Sequence, residues 1–135
     1  MITGIDTNIL IDILEPDPDY GPASREVLKR CLHQGSVLAC EIVWAEVTTA
    51  YSHKKEAAVD ALRHMGIEYS AMTLEAALAA ADCWAAFRKN SRHARDRIAA
   101  DFLIGGHALV QCDRLLTRDR GFYREYFRSL TVEAP

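Results

Sequence analysis

Short apolar runs separated by helix-length periodic stretches constrain what this chain can fold into more than any other feature of it. Residues 2 to 5, Ser36 to Cys40, Ile67 to Tyr69, Asp113 to Thr117 and Leu130 to Val132 read as strands, brief and mostly apolar. Between them the sequence predicts helices. The first runs to Leu14 and is opened by the capping trio Asp6-Thr7-Asn8. Others span Ser24 to His33, Glu41 to about Tyr51, and Lys54 to Met65, where Gly66 stops the helix. Thr73 caps a long alanine-rich helix to about Lys89, in which Leu74, Leu78, Ala81, Trp84 and Ala85 form an apolar stripe suited to the core or to a second copy. Arg97 to Val110 reads as helix despite Gly105 and Gly106, and Phe122 to Phe127 as a short last one. Apolar strands joined by helical crossovers are the mark of parallel pairing buried on both sides. The pattern therefore predicts an α/β fold, a short and mostly parallel central sheet flanked by helices on both faces. At 135 residues and 50% hydrophobic, the chain fits one domain, residues 1–135, with a sizeable core.

Composition removes several function classes. A net charge of -3 and a pI near 5.9 argue against coating nucleic acid by bulk charge, so any basic surface is local. Cys31, Cys40, Cys83 and Cys112 form no C-x-x-C pair and no zinc-like spacing with the histidines, and read as reduced core thiols. No signal peptide and no membrane-length apolar run is present, which predicts a cytoplasmic protein without a membrane partner.

Four acids stand where the neighbours are building a core or a turn. Asp6 closes an apolar strand, Glu46 interrupts Val43-Trp44-Ala45 and Val47, Asp101 lies between Ala100 and Phe102, and Asp119 follows Leu115-Leu116-Thr117. Burying a carboxylate costs free energy unless a cation or donors compensate it. In a parallel sheet, ligands bind beyond the carboxyl ends of the strands, where Asp6 and Asp119 fall. Glu46 and Asp101 each lie about one turn into a helix and can lean toward the same edge. Oxygen-only donors suit a hard divalent cation, and one or two such ions activate water for phosphodiester hydrolysis. Taken singly, each acid also has an ordinary structural explanation. Asp6 can cap a helix, Glu46 can be a solvated helix residue with Glu41 as its competitor, Asp101 can pair with Arg97, and Asp119 can shape a turn.

The stretches Ile5-Asp6-Thr7-Asn8-Ile9-Leu10, Asp101-Phe102-Leu103-Ile104-Gly105-Gly106-His107-Ala108 and Leu116-Thr117-Arg118-Asp119-Arg120-Gly121-Phe122-Tyr123, with Glu46 in its helix, occur in order. Together they resemble the PIN-domain ribonucleases of the VapC toxin type, over nearly the whole chain. The resemblance implies a magnesium-dependent (manganese also serving) endoribonuclease toxin, inhibited by a cognate antitoxin, that leaves 5'-phosphate and 3'-hydroxyl ends. It implies Asp6, Glu46, Asp101 and Asp119 as catalytic metal ligands, supported by Asn8 and Thr117. A homodimer is expected mainly on the same ground.

Arg92, Arg95, Arg97, Arg118 and Arg120 are candidate RNA contacts, with Arg114, Arg124 and Arg128 adding charge near the last strand. Trp44, Tyr51 and Tyr123 are candidate stacking residues, Trp44 the one better suited to the core. Two other classes compete. A non-catalytic PIN-like module docking protein or RNA would not need all four acids. A receiver-like phosphoacceptor domain would need an early acidic pair and a late lysine, and no lysine follows Lys89.

Overall fold

The protein, represented by a computed structural model, is described here over residues 1–51, 54–90 and 99–135. Its strands are β1 Ile2–Ile5, β2 Ser36–Ala39, β3 Ile67–Tyr69, β4 Arg114–Leu116 and β5 Val132–Glu133. Its helices are α1 Thr7–Leu14, α2 Gly21–Gln34, α3 Glu41–Ala50, α4 Lys55–His64, α5 Leu74–Asn90, α6 Ala99–Gln111 and α7 Arg120–Tyr126. The strands pair in the order β3-β2-β1-β4-β5, all parallel, as apolar runs joined by helices require. The chain builds outward from β1 through β2 to β3, then returns to add β4 on the other side of β1. That reversal opens a crevice at the carboxyl ends of β1 and β4, the place where α/β sheets bind ligands. Ile5, Val37, Leu115 and Leu116 of the strands pack with Ile9, Val43, Leu62 and Phe102 of the helices in one continuous core.

Several boundaries differ from the sequence expectation for local reasons. Helix α2 starts at Gly21, not Ser24, because Pro22 is tolerated in a first turn where its missing N–H goes unused. The Asp17 carboxylate prepares that start by accepting from the amides of Asp19 (2.8 Å) and Tyr20 (2.9 Å). The last strand is Val132–Glu133 rather than Leu130 to Val132. Leu130 is buried in the core, and the ladder to β4 begins only at the Thr131 carbonyl, which accepts from Leu115 N–H (2.9 Å). Residues 97 and 98 of the expected sixth helix lie outside the described residues. Thr73 caps α5 as expected, its hydroxyl accepting from Ala76 N–H at 3.2 Å. Cys31 and Cys40 are buried free thiols, whereas Cys83 and Cys112 are only half-buried.

The apolar stripe of α5 meets the core through Trp84, which is half-buried and stacks on Phe102 at 5.9 Å, and not through its leucines. Leu74 and Leu78 are 75% and 57% exposed, and the buried positions are Ala76, Ala80 and Phe87. Helix α6 decides this, because Gly106 lets the Ala76 and Ala80 turns of α5 approach it closely. A Cβ at Gly106 would stand 2.5 Å from the Ala76 carbonyl oxygen and 2.8 Å from Ala80 Cβ. One at Gly105 would strike the Phe127 ring at 2.5 Å. The two glycines that look like helix breakers are therefore what lets α5 and α7 seat on α6. Gly106→Ala is expected to cost about 1–3 kcal/mol through overpacking against backbone. Urea denaturation checks this, and a change under about 0.5 kcal/mol would contradict it.

Candidate active site

The crevice beyond β1 and β4 holds a pocket of about 400 Å³ whose lining includes Asp6, Glu46, Asp101 and Asp119. Four elements deliver them: Asp6 at the end of β1, Glu46 from α3, Asp101 from the first turn of α6, and Asp119 after β4. A larger hollow of about 540 Å³ lies beside Cys83, Tyr126 and Arg128, but its lining includes one acid, Glu125, against five here, Asp12 being the fifth. Chemistry, not size, marks the candidate.

Asp6 is the deepest of the four at 6% exposure. It stands at the N-cap position of α1, yet its side chain makes no capping bond. Its Oδ2 instead accepts from the Thr117 hydroxyl at 2.7 Å and from Asn8 Nδ2 at 3.3 Å. The strand ends are also tied directly, Asp6 N–H donating to the Leu116 carbonyl at 2.9 Å. Thr117 is fully buried, and its oxygen accepts in turn from Asp119 N–H at 3.0 Å. Asn8 closes the ring, its Oδ1 accepting from Arg118 N–H at 3.3 Å. Thr117 and Asn8 thus hold Asp6 and the Asp119 turn in one arrangement. Burial pushes the Asp6 carboxyl up to about 6, with the Asp101 and Glu46 charges adding to the rise and the Thr117 hydroxyl opposing it.

Glu46 accepts from the Thr7 hydroxyl at 2.7 Å, which fixes α3 against α1. Its competitor Glu41 is occupied elsewhere, accepting from Met72 N–H at 3.1 and 3.3 Å and pinning the connection before α5. Beside that connection His107 is buried and bonded to Ser70 Oγ at 2.9 Å, with its pKa lowered by burial against the weaker pull of Glu41. Asp101 is carried by α6, which is anchored by Phe102 inside a ring cluster with Phe87, Phe122 and Phe127. The Tyr123 hydroxyl donates to the Asp101 carbonyl at 3.3 Å. As the side chains stand, no three of the described His, Cys, Asp and Glu groups are close enough to enclose one ion by themselves.

The basic residues divide. Arg92, Arg95 and Arg97 lie outside the described residues. Arg120 is exposed at the start of α7. Arg118 lines the pocket, but its Nε and Nη2 donate to Asp12 at 2.6 and 3.0 Å, and its guanidinium lies 4.1 Å over the Tyr20 ring. Arg114 does not belong to a basic rim, being buried and bound to Thr3, Gln34 and Glu133. Tyr123 is likewise fully buried and cannot stack a base. Asp12, itself buried and also accepting from Ser24 (2.8 Å), was not among the sequence candidates. The signal for it is present in the sequence, an acid inside Ile9-Leu10-Ile11 and Ile13-Leu14, one turn after Asn8.

Position at the switch of a parallel sheet and a pocket lined by carboxylates define an α/β protein with a cluster of hard oxygen donors where such sheets bind ligands. The PIN domain model matches residues 5–127, and the chain belongs to the PIN domain family. No curated protein matches it in sequence. Among solved structures it is similar to VapBC-1 from nontypeable Haemophilus influenzae, with 17% identity and a TM-score of 0.76 over 99% of this chain and 98% of that one. VapBC2 from Rickettsia felis, bound to a DNA fragment from its promoter, shows 21% identity and a TM-score of 0.72 at the same coverage. DNA-bound VapBC from Salmonella typhimurium shows 16% and 0.70, again over 99% and 98%. At these identities the likeness is one of fold.

Proposed function

We propose that this chain, as a single PIN-like nuclease domain across residues 1–135, is a metal-dependent endoribonuclease and the toxin of a toxin-antitoxin pair. The observation that carries the reading is the meeting of Asp6, Glu46, Asp101 and Asp119 from four elements around one pocket. The donor set fits a divalent cation. It consists of hard oxygens, and the Asp6 carboxyl is raised by burial first and by the Asp101 and Glu46 charges in smaller part, a cost to the charged form that a cation would relieve. Magnesium suits such donors, with manganese as its substitute, and the wide spacing of the acids matches an ion that keeps several of its waters. When bound, the ion supplies an activated water and stabilises charge on the phosphodiester. The chain's own part is to hold the acids: Thr117 and Asn8 orient Asp6, and Thr7 orients Glu46. Arg120 stands exposed near the pocket and is free to meet phosphate, and Arg92, Arg95 and Arg97 are further candidates on charge alone. The expected products carry 5'-phosphate and 3'-hydroxyl ends.

Membership in the PIN family and the likeness to VapBC structures support a protein antitoxin as partner. The exposed Leu74 and Leu78 of α5 support a homodimer. Among the described residues no helix is long and apolar enough to cross a membrane. The test is cleavage of an RNA panel by the purified protein with magnesium, with manganese and with chelator, beside Asp101→Ala. Metal-dependent cleavage lost in the variant is the expected result. No cleavage by folded, metal-supplied protein would favour the non-catalytic module.

A further inference from the structure

We propose that Tyr69 and Trp44 form a nucleobase platform beside the acid pocket, gripping a nucleotide next to the one being cleaved. The proposal rests on the nuclease reading above. Tyr69 ends the edge strand β3 and is 60% exposed, a large ring left in water at the active edge of the sheet. Register fixes its height: Gly4, Leu38 and Glu68 are level across β1, β2 and β3, so Tyr69 is level with the end of β1, one residue short of Asp6. Two strand spacings, about 10 Å, separate it laterally from β1, which is the reach of a neighbouring nucleotide. The ring is also propped. Trp44 meets it edge-on at 6.0 Å and 70°, and Trp44 is itself locked by its Nε1 donating to the Ala39 carbonyl at 3.1 Å.

A row of separate hollows that share lining residues leads from the acids to the platform. Glu46 borders both the acid pocket and a hollow along Ala45, Thr49 and Ala50, and Ala45 borders the next hollow, beneath Tyr69 and Trp44. Small side chains along α3 keep that path open. Around the platform Lys55 and Arg63 supply two cations against one acid, Glu68. Stacking faces flanked by cations, in line with the acid pocket along α3, are the chemistry of a single RNA strand. A purely apolar peptide would leave the two cations without a role.

The test uses the full chain free of partner and short oligoribonucleotides of a cleaved sequence. Tyr69→Ala is expected to raise KM roughly 5- to 150-fold, the range of one lost base stack, and to lower kcat much less, whereas Tyr69→Phe and Tyr69→Trp keep the wild-type KM. A 2-aminopurine scanned through the oligonucleotide in chelator should be quenched at one position beside the cleavage site, with the quenching lost in Tyr69→Ala alone. An unchanged KM in folded Tyr69→Ala overturns the platform, and does so equally if that variant instead weakens a protein partner. Wild-type protein that neither binds nor cleaves RNA overturns the nuclease reading and the platform together, which separates the two failures.

Discussion

Asp6→Asn is expected to abolish metal-dependent RNA cleavage and, at neutral pH, to make the metal-free protein more stable than the wild type. The first effect follows from removing the deepest of the four candidate ligand charges. The second follows from linkage. The Asp6 carboxyl titrates near 6 in the folded protein against 3.8 when unperturbed, chiefly because burial disfavours its charged form. Between those values the folded state binds the proton more tightly than the unfolded chain, so stability is highest at low pH and falls as pH rises through the window. Two pKa units correspond to about 3 kcal/mol, an upper figure because the pocket hydrates and relaxes. Asparagine keeps the shape and accepts from Thr117 without the charge. Calorimetry at pH 7 and pH 4, without metal, should show a melting temperature several degrees above wild type at pH 7 and little difference at pH 4. Added magnesium should raise the wild-type melting temperature and leave Asp6→Asn unmoved. An Asp6→Asn protein that is less stable than wild type at pH 7 would mean that the carboxylate is compensated within the chain and is not waiting for a cation.

Arg118→Ala is expected to destabilise the fold by about 3 kcal/mol, at the low end for breaking a buried ion pair, because Arg118 is partly solvated. The partner decides the cost. The Asp12 side chain is 4% exposed and the Arg118 side chain 32%, so losing the arginine strands a buried carboxylate with Ser24 alone. Asp12→Asn should cost less, since Arg118 can turn to water and still lies on Tyr20. The double variant should cost less than the sum of the two, with a coupling of about 1–3 kcal/mol in a denaturation cycle. Strict additivity would show that the pair seen here contributes nothing net. The same geometry separates Arg118 from Arg120: the first is built into the wall of the pocket, the second is exposed and unspent. Substituting Arg118 therefore reports on folding before it reports on RNA.

Much of this architecture could be read from local pattern. Strands such as Val37-Leu38-Ala39 are too short and too uniformly apolar for anything but a buried parallel sheet, and Gly66 and Thr73 punctuate helices by local chemistry. Asp6, Glu46, Asp101 and Asp119 were visible because a charge inside an apolar run is locally anomalous. The same anomaly at Asp12 went unread because its partner, Arg118, is 106 residues away. The stripe Leu74, Leu78, Ala81, Trp84 and Ala85 suits the core or a second copy, and the structure puts Trp84 on the core and leaves Leu74 and Leu78 on the surface. Hydrophobic periodicity names a face but not which neighbour is present, and here the face with Ala76 and Ala80 packs because Gly106 stands opposite.

By itself the sequence determined the α/β class and the parallel pairing, since each follows from residue type and spacing along the chain, while its motifs carried the resemblance to the family and singled out the four acids. Only the tertiary structure decided what those acids are bonded to, that Glu46 and not Glu41 reaches the pocket, that Arg114 and Arg118 are spent on Glu133 and Asp12, and that Tyr69 stands exposed level with Ile5, the end of β1. Hydrogen bonds and ion pairs between residues dozens of positions apart depend on strand register and helix approach, and those are set by the packing of the whole core, which no local window contains.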